Sequence, residues 1–144
     1  MADIHGIAGQ IARIREKANA LIEKELQKRG IKGIVPAHGP ALSFLFQQSK
    51  PVPIKTVVEN VRRVKSTVTV TISTLEKHGY LRKFPCETDN RMIYVELTPK
   101  GRRFHKDFDE ISQVLLNKLY KDMSKKDRGY LVEQLEKIES NLNE

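Results

Sequence analysis

The residues in this sequence with the clearest binding chemistry are short hydroxyl side chains that follow a pair of arginines. The run Lys65-Ser66-Thr67-Val68-Thr69-Val70 comes directly after Arg62-Arg63-Val64. Hydroxyl groups bond phosphates and base edges, and the methyl groups of threonine and valine can contact the methyl group of thymine. If the run begins a helix, the N–H groups of its first turn add a site for a phosphate. The sequence therefore predicts nucleic-acid binding, the alternative being a solvated helix face, through Arg62, Arg63, Lys65, Ser66, Thr67, Thr69 and Val70.

The positive charge of the chain is concentrated in its middle third. The formal net charge is +8, from 26 Lys and Arg against 18 Asp and Glu. Residues 50–106 hold 13 basic and 5 acidic side chains, whereas residues 1–49 hold 7 and 4 and residues 107–144 hold 6 and 9. A positive field on one segment attracts polyanions, because each neutralised phosphate releases condensed counterions. Since basic faces are often only solvated, the charge alone leaves nucleic-acid binding and a solvated surface equally open.

The sequence offers little material for catalysis, metal binding or membrane insertion. Cys86 is the one cysteine, so an internal disulfide and a multi-cysteine zinc site are excluded, and the four histidines form no HExxH pair. Neither a GxxxxGK phosphate loop nor a nucleophile–base pair occurs. No apolar run approaches the roughly 20 residues of a spanning helix, and Met1 to Gln10 lacks the layout of a signal peptide. We therefore expect a cytoplasmic protein that is not an enzyme, holds no cofactor or metal and does not bind membranes.

The elements that must position the hydroxyl run are mostly helices. Apolar residues at alternating steps of three and four predict a long first helix over 4–29, which Asp3 caps and Gly30 ends. Three shorter helices follow, from Pro36–Pro40 to about Gln48, over 54–61, and from about Lys65 to Gly79, with a loop at Ser49–Pro53. The last of these helices contains the hydroxyl run.

After Gly79 the spacing of the apolar residues is no longer that of a helix and becomes typical of strands. Tyr80–Phe84 and Met92–Leu97 predict two strands joined by a turn-rich segment. Thr98-Pro99 and Ser124 then predict the starts of two final helices, over 99–123 and 125–143. The predicted fold class is mainly α with a small β-hairpin wing, and the order of its central elements is that of a helix-turn-helix followed by a wing.

The first and last helices present apolar seams that nothing large within the chain covers. A first helix of about 25 residues would be about 38 Å long, which exceeds what a small core can cover. Its seam consists of Ile4, Ile7, Ile11, Ile14, Ala18 and Leu21. We therefore expect a homodimer that forms through the helices at 4–29, 99–123 and 125–143.

Two stretches of the sequence resemble a known family. Lys65–Thr69 followed by Leu75-Glu76-Lys77-His78-Gly79-Tyr80 is similar to a recognition helix and its exit, and Asp89-Asn90-Arg91 with Leu97-Thr98-Pro99-Lys100-Gly101 matches the pattern D-x-R-x5-L-T-x-x-G. Together with Pro36-Ala37-His38-Gly39, these motifs resemble the MarR-type winged-helix transcriptional regulators along nearly all of the chain. The sequence departs from that family at Arg62-Arg63-Val64, where a Gly or an Asp/Ser cap is usual, and at Val70-Thr71, where long polar side chains are frequent.

The resemblance implies an architecture and a function. It implies a single domain over 1–144, with a winged helix-turn-helix DNA-binding lobe at 36–101 and dimerisation helices at 1–30 and 104–144. It also implies a sequence-specific regulator, most often a repressor, that binds a pseudo-palindromic operator in double-stranded DNA as a homodimer. The alternative is an architectural or protein-interaction winged-helix protein that binds DNA without sequence preference.

The resemblance further implies roles for the residues of the wing and for an effector site. Arg91 would enter the minor groove, Asp89 could pair with Arg91 or with backbone amides, and Arg82 and Lys83 would contact phosphates. Relatives bind small aromatic or phenolic anions between the DNA-binding lobe and the dimerisation helices, and the residues that could line such a crevice are His38, Phe44 and Tyr80. Cys86 lies beside Glu87 and Asp89, and we expect these carboxylates to raise the pKa of its thiol and keep it unreactive.

Overall fold

The computed structural model describes residues 2–143, which form six α-helices and three short strands. The helices are α1 (Ile7–Lys28), α2 (Gly39–Phe46), α3 (Ile54–Val61), α4 (Lys65–Lys77), α5 (Pro99–Leu119) and α6 (Lys125–Asn141). The strands are β1 (Val52–Pro53), β2 (Leu81–Pro85) and β3 (Ile93–Leu97). Single 3₁₀ turns at Ile4–Gly6 and Pro36–His38 precede α1 and α2. The predicted winged-helix fold, mainly α with a small wing, is confirmed.

The predicted helix boundaries follow from capping chemistry that the structure shows directly. The Asp3 carboxylate accepts a hydrogen bond from the His5 N–H at 3.0 Å, and Gly30 adopts a φ of +66° just after α1. The Ser124 hydroxyl likewise accepts from the Asp127 N–H at 3.1 Å at the start of α6. Thr98 plays this part for α5, since its hydroxyl accepts from the Gly101 N–H at 3.2 Å.

The sheet has one strand more than the sequence predicted. Its order is β1-β3-β2, with both pairs antiparallel, so the central strand is β3. Val52 lies opposite Val95, and the prediction of a loop throughout Ser49–Pro53 is therefore wrong for Val52–Pro53. A proline has no N–H to donate, but it is tolerated on an edge strand such as β1. The predicted hairpin is confirmed, with Leu81 opposite Leu97 and Phe84 opposite Tyr94.

The hydrophobic core lies where α2, α3 and α4 pack with the sheet. Its largest fully buried side chains are Leu42, Leu45, Val57, Val68, Ile72, Leu75, Leu81 and Val95. Burial of each such side chain stabilises the folded state by about 1.5–3 kcal/mol before entropy is counted. This core fixes α4 with one face inward and the other toward solvent.

The chain divides into two compact units, of which one ends at Ile111 and the other begins at Ser112. In the first unit, the seam residues Ile4, Ile7, Ile11 and Ile14 are exposed. In the second unit, the exposed large apolar residues include Leu116, Leu119, Leu131, Leu135 and Leu142. The observed α5 and α6 end at Leu119 and Asn141, a few residues before the predicted ends. Within residues 2–143, no helix has the length and the apolar character that crossing a membrane requires.

Candidate nucleic-acid interface

Helix α4 presents its hydroxyl side chains to solvent. Val68, Ile72 and Leu75 point into the core, which is the spacing of one helical face. The remaining candidate residues of the helix are exposed, namely Lys65, Ser66, Thr67, Thr69 and Val70. The predicted placement of Ser66 and Thr67 on the surface is therefore confirmed.

The start of α4 is left without a side-chain cap. Val64 occupies the N-cap position in an extended conformation, with φ −65° and ψ 146°, and its side chain makes no capping hydrogen bond. The first N–H groups of an α-helix have no partner within the helix. These groups and the positive end of the helix dipole are consequently free to bind an anion such as a DNA phosphate.

The turn between α3 and α4 exposes two arginines. Arg62 ends α3 in the left-handed region, with φ 56° and ψ 38°. Such a conformation is uncommon for a residue with a Cβ and reverses the chain tightly. Arg62 and Arg63 are both exposed. The turn therefore places two cationic side chains directly before the N-terminus of α4.

At the tip of the wing, the short acidic side chain of Asp89 holds Arg91 through hydrogen bonds. The Asp89 carboxylate accepts from the backbone N–H of Arg91 at 3.0 Å and from its Nε at 3.3 Å. The Met92 N–H donates to the Asp89 carbonyl at 3.0 Å, which closes the turn. Both contacts predicted for Asp89 are thus present, while the Arg91 side chain remains 93% exposed.

Arg82 and Lys83, which we expected to contact phosphates, are already bonded to carboxylates. Arg82 forms an ion pair with Glu96, which lies opposite it in the β2–β3 register, and stacks 4.9 Å from the Phe84 ring centre. Glu76 of α4 pairs with Lys83 Nζ at 3.4 Å and accepts from the Lys83 N–H at 3.1 Å. These two basic side chains brace the wing against its neighbours, and Glu76 and Glu96 are functional neighbours that the sequence analysis missed.

The base of the wing is joined to the end of α4 by residues of the L-T-x-x-G motif. The Thr98 hydroxyl donates to the Gly79 carbonyl, and Lys100 Nζ donates to the His78 carbonyl at 2.7 Å. A Cβ at Gly101 would lie 2.0 Å from the Tyr80 carbonyl oxygen, so only glycine fits there. The motif thus fixes the wing relative to α4, a role that its spacing alone did not reveal.

The three residues expected to line one effector crevice do not come together. His38 is buried and borders the crevice beside α4, of about 370 Å³, that Ala37, Ser66, Thr67, Val70 and Thr71 also line. Tyr80 borders a different crevice, of about 420 Å³, with Lys32, Lys100 and Arg103. Phe44 packs partly buried against the core and lines neither crevice. Each ring is used locally: the His38 Nδ1 accepts from the Val35 N–H at 3.2 Å, and the Tyr80 hydroxyl donates to the Lys32 carbonyl at 2.7 Å. A role of these residues in effector binding remains a prediction.

Burial changes the protonation behaviour of these two rings. Desolvation, with a smaller contribution from the charge of His78, lowers the pKa of His38. Desolvation also raises the pKa of the Tyr80 hydroxyl. Both rings are therefore held neutral and serve as hydrogen-bonding partners inside the lobe.

The sign of the pKa shift expected at Cys86 is wrong. The hydrogen bond with the Thr88 side chain, whose oxygen lies 3.2 Å from Sγ, lowers the pKa of the Cys86 thiol, and backbone hydrogen bonds at Thr88 and Asp89 act in the same direction. These hydrogen bonds outweigh desolvation, which raises the pKa of the thiol. The unreactive character of Cys86 remains a prediction.

Among the described residues 2–143, no group of three His, Cys, Asp or Glu side chains is placed to hold a metal ion.

The central part of the chain is similar to a known class of protein domain. Residues 40–101 match the family model described as a winged helix DNA-binding domain. This range contains α2 to β3, the exposed face of α4 and the start of α5. No curated protein sequence matches the chain. Residues 40–101 are therefore similar to a winged helix DNA-binding domain, which is a binding module.

Solved structures extend the similarity to the whole chain. The PcaV transcriptional regulator from Streptomyces coelicolor, in complex with its natural ligand, is 18% identical, with a TM-score of 0.83 over 100% of this chain and 99% of that one. A mutant MarR from E. coli, complexed with operator DNA, is 18% identical, with a TM-score of 0.76 over 95% of this chain and 99% of that one. A MarR-like transcription regulator from Bacillus cereus is 23% identical, with a TM-score of 0.74 over 96% and 97%. The resemblance to MarR-type winged-helix regulators is thus confirmed at the level of the fold.

Proposed function

We propose that this protein is a sequence-specific transcription regulator, acting as a repressor, that binds a pseudo-palindromic operator in double-stranded DNA. The observation that carries the proposal is the exposed, uncapped N-terminal half of α4 between Arg62-Arg63 and the wing with its exposed Arg91. A helix of this width fits the major groove, and its first residues reach base edges. The solved complex of the E. coli MarR mutant with operator DNA supports the assignment to this fold.

The charge distribution supports the same surface. The segment 50–106, which carries 13 basic and 5 acidic side chains, contains α3, α4 and the wing. Arg62, Arg63 and Lys65 lie at the N-terminus of α4, and Arg91 lies at the wing tip. In such an interface the helix would contact base edges while the flanking cations neutralise phosphates on either side of the groove. Arg82 and Lys83 would contribute less, because their carboxylate partners offset their charge.

The proposal includes a homodimer. Apolar residues on one face of α1 are exposed, and an exposed apolar stripe of this kind marks a protein interface more often than a free surface. A two-fold dimer would present two copies of α4 to successive turns of the major groove, about 34–36 Å apart. Two half-sites about one helical turn apart are therefore expected in the operator.

The proposal also includes release from DNA by a small aromatic or phenolic anion. The crevice of about 420 Å³ beside Tyr80 offers an aromatic wall and the cations Lys100, Arg103 and Lys32. Its walls come from residues 30–32 after α1, from Tyr80 before β2 and from the first part of α5, where the acidic Asp107 also lines it. Tyr80 and the start of α5 belong to the junction that fixes the wing. The PcaV structure with its natural ligand supports small-molecule control in a protein of this fold.

Addition of benzoate and hydroxybenzoates to the protein–operator complex tests the proposed effector release. We expect these compounds to release the DNA from the wild type but not from Arg103→Ala. Unchanged DNA affinity with every compound would refute the proposed effector release.

Selection of bound duplexes from random-sequence DNA, at two salt concentrations, tests the main proposal. We expect enrichment of a two-fold symmetric sequence and weaker binding at the higher salt concentration. Recovery of unenriched DNA would instead support the architectural alternative, and recovery of no DNA would exclude DNA binding altogether.

A further inference from the structure

Apart from Lys65 and Lys77 at its two ends, the exposed face of α4 lacks the side chains that recognise guanine and adenine through paired hydrogen bonds. Arginine or lysine on guanine, and asparagine or glutamine on adenine, are the usual bidentate pairs in the major groove. Between Lys65 and Lys77 the helix contains none of these four residue types, and its one carboxylate, Glu76, bonds Lys83. The middle of α4 therefore has only hydroxyl and methyl groups to present to base edges.

The methyl groups are the more distinctive part of that face. Val70 is 65% exposed, and it lies one helical turn after Ser66 on the outward side. Ala37 of the neighbouring 3₁₀ turn borders the same crevice as Val70. The surface around Val70 is thus apolar although it is flanked by the cations at the start of α4.

Thr69 adds a second methyl group because its hydroxyl is committed elsewhere. The Thr69 hydroxyl donates to the Lys65 carbonyl at 2.9 Å within the helix. This hydroxyl hydrogen is consequently not available to a base, whereas the side-chain methyl group of the exposed residue is. Thr69 and Val70 therefore both expose methyl groups on the solvent side of α4, where successive side chains point about 100° apart.

We infer that Thr69 and Val70 recognise the C5-methyl group of thymine in the major groove, so that each operator half-site carries thymine opposite this part of α4. Thymine is the one unmodified DNA base that presents a methyl group there. Ser66 and Thr67 hydroxyls bond phosphates or any base and so discriminate little between sequences. The inference rests on the proposed function, and it names the chemical group that the same surface selects.

Replacement of thymine by deoxyuridine in the operator tests the inference, because only the methyl group is removed. The full-length protein is titrated with a duplex selected from random DNA and with copies that carry deoxyuridine at single thymine positions. At the position opposite Val70 we expect about fourfold weaker binding for one half-site and about tenfold or more for both, which is the effect of one buried methyl-sized group per site.

Substitutions in α4 then show which side chains cause the difference in affinity between the thymine and deoxyuridine duplexes. The double variant Thr69→Ser with Val70→Ser should bind the thymine and deoxyuridine duplexes with equal affinity, since both methyl-bearing partners of the thymine methyl group are gone and the serine in place of Thr69 can keep the hydrogen bond to the Lys65 carbonyl. Val70→Thr keeps one methyl group and should retain part of the difference. Ser73→Ala, which changes another exposed residue of α4 without removing a methyl group from this surface, is the control and should leave the difference unchanged.

The outcomes separate the inference from the proposed function. Selected half-sites without thymine, deoxyuridine duplexes that bind as tightly as thymine duplexes, or a difference that persists in the double variant would each overturn the inference while leaving sequence-specific binding intact. Selection that yields no preferred sequence would overturn the inference together with the proposed function.

Discussion

At the scale of single residues, the Arg91 side chain is 93% exposed although the Asp89 carboxylate bonds both its Nε and its backbone N–H. Its ion pair with Asp89, at 3.3 Å, lies on the surface of the wing. Exposed pairs of this kind contribute only about 0–1 kcal/mol to stability. An arginine held by a short side chain at the end of a turn is, however, well placed to enter a narrow minor groove.

Arg91→Ala is therefore expected to weaken operator binding about tenfold or more and to leave the melting temperature nearly unchanged. Arg13→Ala, which removes an exposed arginine from α1, is the matched control and should change neither quantity. Gel-shift titration and thermal unfolding measure the two effects. An Arg91→Ala variant with unaltered DNA affinity would remove Arg91 from the interface.

His38 contributes a pH dependence of stability whose sign follows from its burial. Because desolvation lowers the pKa of His38 in the folded state, the unfolded chain binds the proton more readily. The contribution is complete above the unfolded pKa of about 6.5 and is lost as the pH falls from there toward the folded pKa. In the native lobe the neutral Nδ1 accepts from the Val35 N–H, which a protonated ring could not do.

Chemical denaturation between pH 7.5 and 5 should accordingly show a steeper loss of the unfolding free energy in the wild type than in His38→Asn, whose amide oxygen can accept the same hydrogen bond without titrating. His5→Asn replaces an exposed histidine and should keep the wild-type slope. Equal slopes for wild type and His38→Asn would contradict the assigned role of this ring.

Residue types and spacing predicted much of the exposed surface of α4 and the wing, but they did not predict all the hydrogen-bond partners of the side chains. The outward placement of Ser66, Thr67 and Thr69 followed from the helical period, and the Asp89–Arg91 pair followed from their separation of two. The effector-binding role of His38, Phe44 and Tyr80 remains a prediction; spacing did not show that a loop amide and a loop carbonyl bond His38 and Tyr80. The direction of the pKa shift at Cys86 was mispredicted because hydrogen bonds at Thr88 and Asp89, which spacing does not reveal, lower it.

At the scale of elements, the junction between α4, the wing and α5 decides where the wing points. Gly101 permits the first turn of α5 to approach the Tyr80 carbonyl oxygen, and the Thr98 hydroxyl reaches the Gly79 carbonyl across the same junction. Gly79 itself adopts a φ of +81°, which favours glycine. The L-T-x-x-G motif therefore fixes the position of the wing relative to α4.

Gly101→Ala should destabilise the protein by about 1–3 kcal/mol or more, because the new Cβ overlaps backbone atoms that cannot move aside easily. Gly129→Ala in α6 is a matched control, since a Cβ there meets nothing within 4 Å. This control should be neutral or stabilising by up to about 1 kcal/mol, the helix propensity of alanine over glycine. Urea unfolding measures both, and equal stabilities would contradict the close approach at Gly101.

The element that the sequence did not predict is β1. Its two residues, one of them a proline, are too few to show the alternation of apolar and polar residues that predicts a strand. They form a strand because they pair with Tyr94 and Val95, which lie far along the chain. The helices were predicted to within a few residues because caps and apolar spacing are local signals, as at Asp3 and Ser124. Long-range pairing of a short edge segment has no such signal.

At the scale of the whole molecule, the exposed seam of α1 predicts that the protein works as two copies. Replacement of Ile7 and Ile11 by lysine should give a monomer in analytical ultracentrifugation at micromolar concentration, while the wild type sediments as a dimer. Loss of the second half-site should weaken operator binding by about 10²-fold or more. Ala20→Lys adds the same kind of charge on the opposite, exposed side of α1 and should stay dimeric; a monomeric wild type would remove the basis for paired half-sites.

The claim on which the rest depends is that the exposed face of α4 and the wing together bind one DNA sequence in preference to others. Fluorescence anisotropy of the full-length protein with the selected duplex and with a scrambled duplex of the same length measures this preference directly, at two salt concentrations. The expected result is tighter binding to the selected duplex by about 10³-fold or more, with both affinities falling as salt rises. Equal affinities for the two duplexes at both salt concentrations would contradict the claim.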